Sequence, residues 1–126
     1  MASKKILIVD DDADFLLLIK RRVESWGYVV LTTADSEEAL RTLKIERPQV
    51  VILDYMMPKV NGIELLKKIR QVDRQTAAIM FTAQPTMKAM EEAKGLNITA
   101  FIPKESFLVD TEKDLKIALD LISQGL

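Results

Sequence analysis

Asp10, Asp11 and Asp12 are three consecutive carboxylates that follow the apolar run Ile6-Leu7-Ile8-Val9. Asp54 follows a second such run, Val50-Val51-Ile52-Leu53. Thr82 and Lys104 stand just past two further apolar stretches, 78–81 and 98–102. The chain has no Cys and no His. That excludes disulfides, thiolate nucleophiles, the common zinc sites and any Ser-His-Asp arrangement. Chemistry is left to carboxylates, hydroxyls, amines and backbone groups. A histidine taking part in group transfer would have to come from another protein.

The elements that position these residues alternate. The run 6–9 reads as a strand buried on both faces. A helix follows from about Ala13, with Phe15, Ile19, Val23 and Trp26 on one face and Gly27 as its stop. A β-branched and aromatic strand is expected over 28–33. Asp35, with Glu38 three residues on, reads as a helix start before Ala39, Leu40 and Leu43, and Pro48 rules out continuation. The third strand is 50–53. Met57-Pro58 and Asn61-Gly62 bracket a loop, and Ile63, Leu66 and Ile69 give the next helix a face. After the strand at 78–81, a short helix is expected to carry Met87, Met90 and Ala93, the spacing favouring core methionines. The last strand is 98–102. Thr111 is expected to cap a final helix with Leu115, Ala118, Leu119 and Ile122 inward.

Five strand–helix pairs with apolar strands predict an α/β fold, a three-layer doubly wound (βα)5 parallel sheet. In such sheets function sits outside the carboxyl ends of the strands, where the strand order reverses. Asp10, Asp11, Asp54, Thr82 and Lys104 all belong at that edge. Close carboxylates repel, so a cation is expected among them. Mg2+, a hard ion that keeps several waters and accepts phosphate oxygens, is the natural choice. Singly, each residue has a plainer reading: helix cap or loop acid for the aspartates, strand-end hydroxyl for Thr82, solvated charge for Lys104. Together they are harder to dismiss.

The segments Ile6 through Asp12, Val51-Ile52-Leu53-Asp54-Tyr55-Met56-Met57-Pro58-Lys59-Val60-Asn61-Gly62, Phe81-Thr82-Ala83 and Pro103-Lys104 together resemble the response-regulator receiver family. The resemblance runs from about Lys4 to Ile122. It implies a flavodoxin-like sheet of order 2-1-3-4-5 and a phosphoacceptor role for Asp54, served by a histidine kinase or histidine phosphotransfer protein. Asp10, Asp11, Asp54 and the backbone carbonyl of Met56 would hold Mg2+. Thr82 and Lys104 would contact phosphoryl oxygens, and Asp12 would lie outside that contact. Thr82 and Phe101 would form the switch. A reading face of the last two helices and strand five, including Met87, Met90 and Phe101, would address a downstream protein target or output domain, as a monomer or a phosphorylation-dependent dimer.

Several residues depart from the family pattern. Lys104 is followed by Glu105 rather than proline, so a trans bond is expected there. The stretch 105–110 is long before the last helix. Asn97 stands where glycine is frequent and tolerates left-handed geometry. Asn61 stands where an acid is common and can still cap the next helix. Met56 and Gln84, two residues past Asp54 and Thr82, occupy positions that influence attack by water, and a bulky Met56 predicts slow dephosphorylation.

With 126 residues, 48% hydrophobic and 29% charged, one globular domain over 1–126 is expected. A net charge of −1 gives no basic field for nucleic acid. No apolar run approaches the roughly 18 residues of a membrane helix, and the cytoplasm is the expected location. Three other classes are weighed. An aspartyl-phosphate phosphatase would want a second Asp at position 56. A flavin or nucleotide module would want a glycine- or hydroxyl-rich phosphate loop where three acids stand. A receiver-like binding module would work without phosphorylation.

Overall fold

The structure, a computed structural model, describes residues 4–57, 60–82, 86–104 and 108–124. Expectations resting on Pro58, Lys59, Ala83, Gln84 and the bond to Glu105 lie outside the described residues. Strands β1 (Lys5–Val9), β2 (Val29–Thr33), β3 (Val50–Asp54), β4 (Ala77–Thr82) and β5 (Ile98–Pro103) alternate with five helices. These are α1 (Ala13–Ser25), α2 (Ser36–Glu46), α3 (Gly62–Val72), α4 (Met87–Glu92) and α5 (Leu108–Ser123). All strand pairs are parallel, in the order β2-β1-β3-β4-β5. The expected fold class and winding hold.

Side chains alternate across each strand, and the apolar strands therefore feed two cores. Ile6, Ile8, Val50, Ile52, Ile79 and Phe81 pack with α1 and α5. Leu7, Val9, Val51, Leu53, Ala78 and Met80 pack with α2, α3 and Ala93. A register shift between Ala78 and Ile79 skips Thr99 in the β4–β5 pairing. That bulge turns Phe101 toward the α2/α3 side, where it is half-buried.

Most helix signals act as expected. Asp35 caps α2 by accepting from Glu37 N, and Asn61 caps α3 by accepting from Glu64 N at 2.8 Å. Gly27 and Asn97 both take left-handed geometry, at φ 97° and 57°. Arg47, just before Pro48, closes α2 in the same region at φ 47°.

Two expectations need correction. Helix α5 begins at Leu108, inside the stretch expected to precede it, and Thr111 lies within the helix rather than at its cap. Its buried hydroxyl donates to the Pro103 carbonyl at 3.1 Å, tying the helix to the end of β5. In α4 the core-facing residue is Ala89, followed by Ala93 just past the helix, while Met87 and Met90 are 83% and 48% exposed. The small side chains occupy the packed side of this six-residue helix, and the methionines lie on its solvent side.

At the opposite end of the sheet, Arg70 binds four carbonyls. Its Nε donates to Leu96 O at 2.8 Å, Nη1 to Thr76 O and Asp73 O, and Nη2 to Asn97 O. Burial lowers its pKa, while the Asp73 charge works to raise it. One guanidinium thus fastens the α4–β5 turn to the α3–β4 turn.

Candidate functional site

Strand order reverses between β1 and β3, and the carboxyl ends of those strands hold the acids. Asp10 follows β1, its N–H continuing the ladder to Thr33 O at 3.2 Å, and its carboxylate is fully buried. Asp54 is the last residue of β3 and is also buried. Asp11 is exposed at the rim. One carboxylate oxygen from each of Asp10, Asp11 and Asp54 lies within 4.8 Å of the others. Asp12 is occupied elsewhere: it caps α1 by accepting from Phe15 N at 3.1 Å. Its own N–H donates to Asp10 Oδ1 at 2.9 Å, which orients that carboxylate.

Lys104 enters from the end of β5. Its backbone N–H donates to Thr82 O at 2.7 Å, so the last rungs of β4 and β5 place it. Its Nζ lies 2.8 Å from Asp10 Oδ2 and 3.6 Å from Asp54 Oδ2, and 4.3 Å from the centre of the Phe15 ring. Asp54 Oδ1 accepts from Met56 N at 3.3 Å. Thr82 is buried at the end of β4.

The electrostatics follow from this crowding. Burial, then the neighbouring Asp10 charge, push the Asp54 carboxyl from 3.8 up to about 7, against the opposing pull of Lys104 and the Met56 N–H. Burial disfavours the Lys104 ammonium. The hydrogen bond to Asp10 and the charges of Asp10, Asp54 and Asp12 outweigh that and raise its pKa. An all-oxygen set of clustered carboxylates suits a hard divalent cation, and Mg2+ fits these donors. A cation among them would relieve the repulsion that raises Asp54.

The structure thus brings Asp10, Asp11, Asp54 and Lys104 together, with Thr82 at the next strand end and the Met56 N–H on Asp54. Phe101 is not part of that cluster; it packs on the α2/α3 side. Two neighbours of the site escaped the sequence reading. Phe15, taken there as a core position, also carries the Lys104 ammonium on its ring. Gly62, taken as part of a turn, lies directly against the Asp54 backbone. Its place in the Asn61-Gly62 pair marked a turn but not what the turn touches.

The protein-family comparison matches residues 6–117 to the response regulator receiver domain. The chain is 38% identical over 98 residues to the alkaline phosphatase synthesis transcriptional regulatory protein PhoP of Bacillus subtilis, covering 78% of this chain and 40% of PhoP. It is 32% identical over 114 residues to the sporulation initiation phosphotransferase F of the same organism, covering 90% and 91%. The chain spans less than half the length of PhoP and of the other first curated relatives it matches. Among solved structures, the chemotaxis protein CheY4 of Vibrio cholerae superposes with a TM-score of 0.84 at 28% identity, covering 93% of this chain and 99% of that one. A CheY-like receiver domain protein from Methanospirillum hungatei gives 0.86 at 28%, covering 99% and 100%. No helix among the described residues is long and apolar enough to cross a membrane. The family match spans well over half the chain and agrees with the strand order and the acid cluster, and the chain belongs to the response regulator receiver domain family of two-component signalling.

Proposed function

We propose that Asp54 accepts a phosphoryl group from a histidine kinase or histidine phosphotransfer protein, and that the modified domain presents its α4-β5-α5 face to a downstream protein target or output domain. The observation that supports this most directly is the meeting of Asp54 with Asp10, Asp11 and Lys104 at one strand-end cluster.

An Asp54 carboxylate oxygen forms the new bond to phosphorus. The phosphorus–nitrogen bond of the donor phosphohistidine breaks, and its electron pair stays on the imidazole. Phosphoryl transfer spreads charge over peripheral oxygens, so the site's work is positioning and charge compensation. Asp10, Asp11, Asp54 and the Met56 carbonyl would hold Mg2+, which supplies positive charge beside those oxygens. Lys104 pairs with one phosphoryl oxygen, and the Thr82 hydroxyl donates to another. The ammonium needs little travel, since it already lies 3.6 Å from Asp54.

Drawing Thr82 and Lys104 toward a phosphoryl group pulls on the ends of β4 and β5. Phe101, half-buried on β5, changes its packing with that pull. The face beside it offers exposed Met87, Met90, Ile117 and Leu121, an adaptable apolar surface for a partner. The functional unit is one domain over 1–126, acting in the cytoplasm as a signalling module, a monomer or a phosphorylation-dependent dimer. It makes no direct contact with nucleic acid or membrane.

The test is intact mass after incubation with magnesium and phosphoramidate, beside Asp54→Asn. Magnesium-dependent gain of one phosphoryl group by wild type alone is expected. No gain under conditions that modify a control receiver overturns the reading in favour of a receiver-like binding module.

A further inference from the structure

We propose that Phe15 is a positioning residue for phosphorylation: the face of its ring holds the Lys104 ammonium against the acid cluster and so sets where that charge meets the phosphoryl group. The inference rests on Asp54 being the acceptor.

The Lys104 Nζ lies 4.3 Å from the ring centre, within the range of a cation–π contact. The ring is 8% exposed and cannot swing into solvent without breaking its packing in the α1/α5 core. It is also pinned by a second ring: Phe81 meets it edge-on, with centroids 5.3 Å apart and planes at 86°. Phe81 is no bystander. It pairs with Asp54 in the β3–β4 register, its carbonyl accepts from Tyr55 N at 2.8 Å, and Thr82 is the next residue. One rigid aromatic pair thus joins the lysine, the acceptor strand and the strand-end threonine.

Lysine carries a flexible four-carbon stem and a compact charge, so distance to a carboxylate alone leaves its direction loosely set. The hydrogen bond to Asp10 Oδ2 at 2.8 Å fixes one side of the ammonium. The ring face fixes another and keeps water from it. An aliphatic side chain of similar size would fill the space but offer the ammonium no compensation for lost hydration.

The test separates this role from plain core packing. The full chain is prepared with phenylalanines carrying one, two or three ring fluorines at position 15, which drain the negative ring face at nearly constant volume. Phe15→Leu completes the series. The initial rate of Asp54 phosphorylation by phosphoramidate is read at fixed magnesium. The proton shifts of the Lys104 Cε methylene are read in metal-free protein. The rate falls stepwise with fluorination, roughly threefold to tenfold across the series. The Lys104 methylene is displaced upfield by the wild-type ring and moves to the free-lysine position in Phe15→Leu. A rate that stays flat across the fluorine series, in a wild type that is phosphorylated, overturns the inference while leaving the acceptor intact. A wild type that takes no phosphate overturns the acceptor reading itself.

Discussion

A methyl group on Gly62 would lie 2.5 Å from the backbone carbonyl oxygen of Asp54. The start of α3 rests on the rear of the acceptor strand, with Gly62 N donating to Tyr55 O at 2.9 Å. Met80 Sδ, 2.7 Å from the same point, can rotate away, but the Asp54 peptide cannot. Gly62→Ala should therefore displace Asp54 and cost about 1–3 kcal/mol of stability. Urea unfolding measures the loss, and the phosphorylation rate with phosphoramidate should fall with it. Unchanged values in both would mean that α3 shifts freely.

Asp54 also makes stability depend on pH. Its carboxyl is raised from 3.8 to about 7, so between those values the native state holds a proton that the unfolded chain releases. The stabilisation from that proton is full below about pH 3.8 and is lost as pH rises through about 7. Metal-free wild type should lose this contribution to thermal stability from about pH 4 to about pH 7, and Asp54→Asn should flatten that part of the profile. Parallel Tm profiles for the two proteins would contradict this.

Magnesium should reverse the penalty. A cation that binds only the folded protein stabilises it by ~1.4 kcal/mol at ten times its Kd. The Tm at pH 8 should rise with magnesium and fall again on chelation. Asp11→Asn, which removes one exposed carboxylate of the cluster, should weaken the response. An equal rise in that variant would place the ion elsewhere.

Met56 is 65% exposed, two residues past Asp54. Its side chain is apolar and offers an attacking water no hydrogen bond. Phosphorylated wild type should lose its phosphate more slowly than Met56→Asn, followed by intact mass after removal of the donor. Faster loss in wild type would reverse the assignment.

The strands were legible because they are short apolar or β-branched runs, and the acids because the runs of β1 and β3 end in Asp10 and Asp54. Asn61 and Asn97 were legible from local backbone chemistry alone, as a cap and a left-handed turn. Thr111 was misread because a threonine before an apolar helix face looks like a cap, whereas its hydroxyl serves a carbonyl eight residues back. Met87 and Met90 were misread because spacing cannot reveal that α4 approaches the sheet through alanines. The Phe15–Lys104 contact spans 89 positions and the Arg70–Leu96 bond 26, so neither leaves a trace in local pattern.

Among the described residues the two cores form separate clusters on opposite faces of the sheet. Val51 and Ile52 are neighbours in the chain, yet one is packed among α2 and α3 and the other among α1 and α5. Cavities opened at these two positions fall in different clusters, so their free-energy costs should sum unless the shared strand backbone shifts. Ile52→Val and Val51→Ala, measured singly and together by urea unfolding, should show a coupling energy near zero. A repacking of one helix layer then leaves the other layer its own set of side-chain neighbours, and the sheet that carries the strand-end cluster is the element common to both.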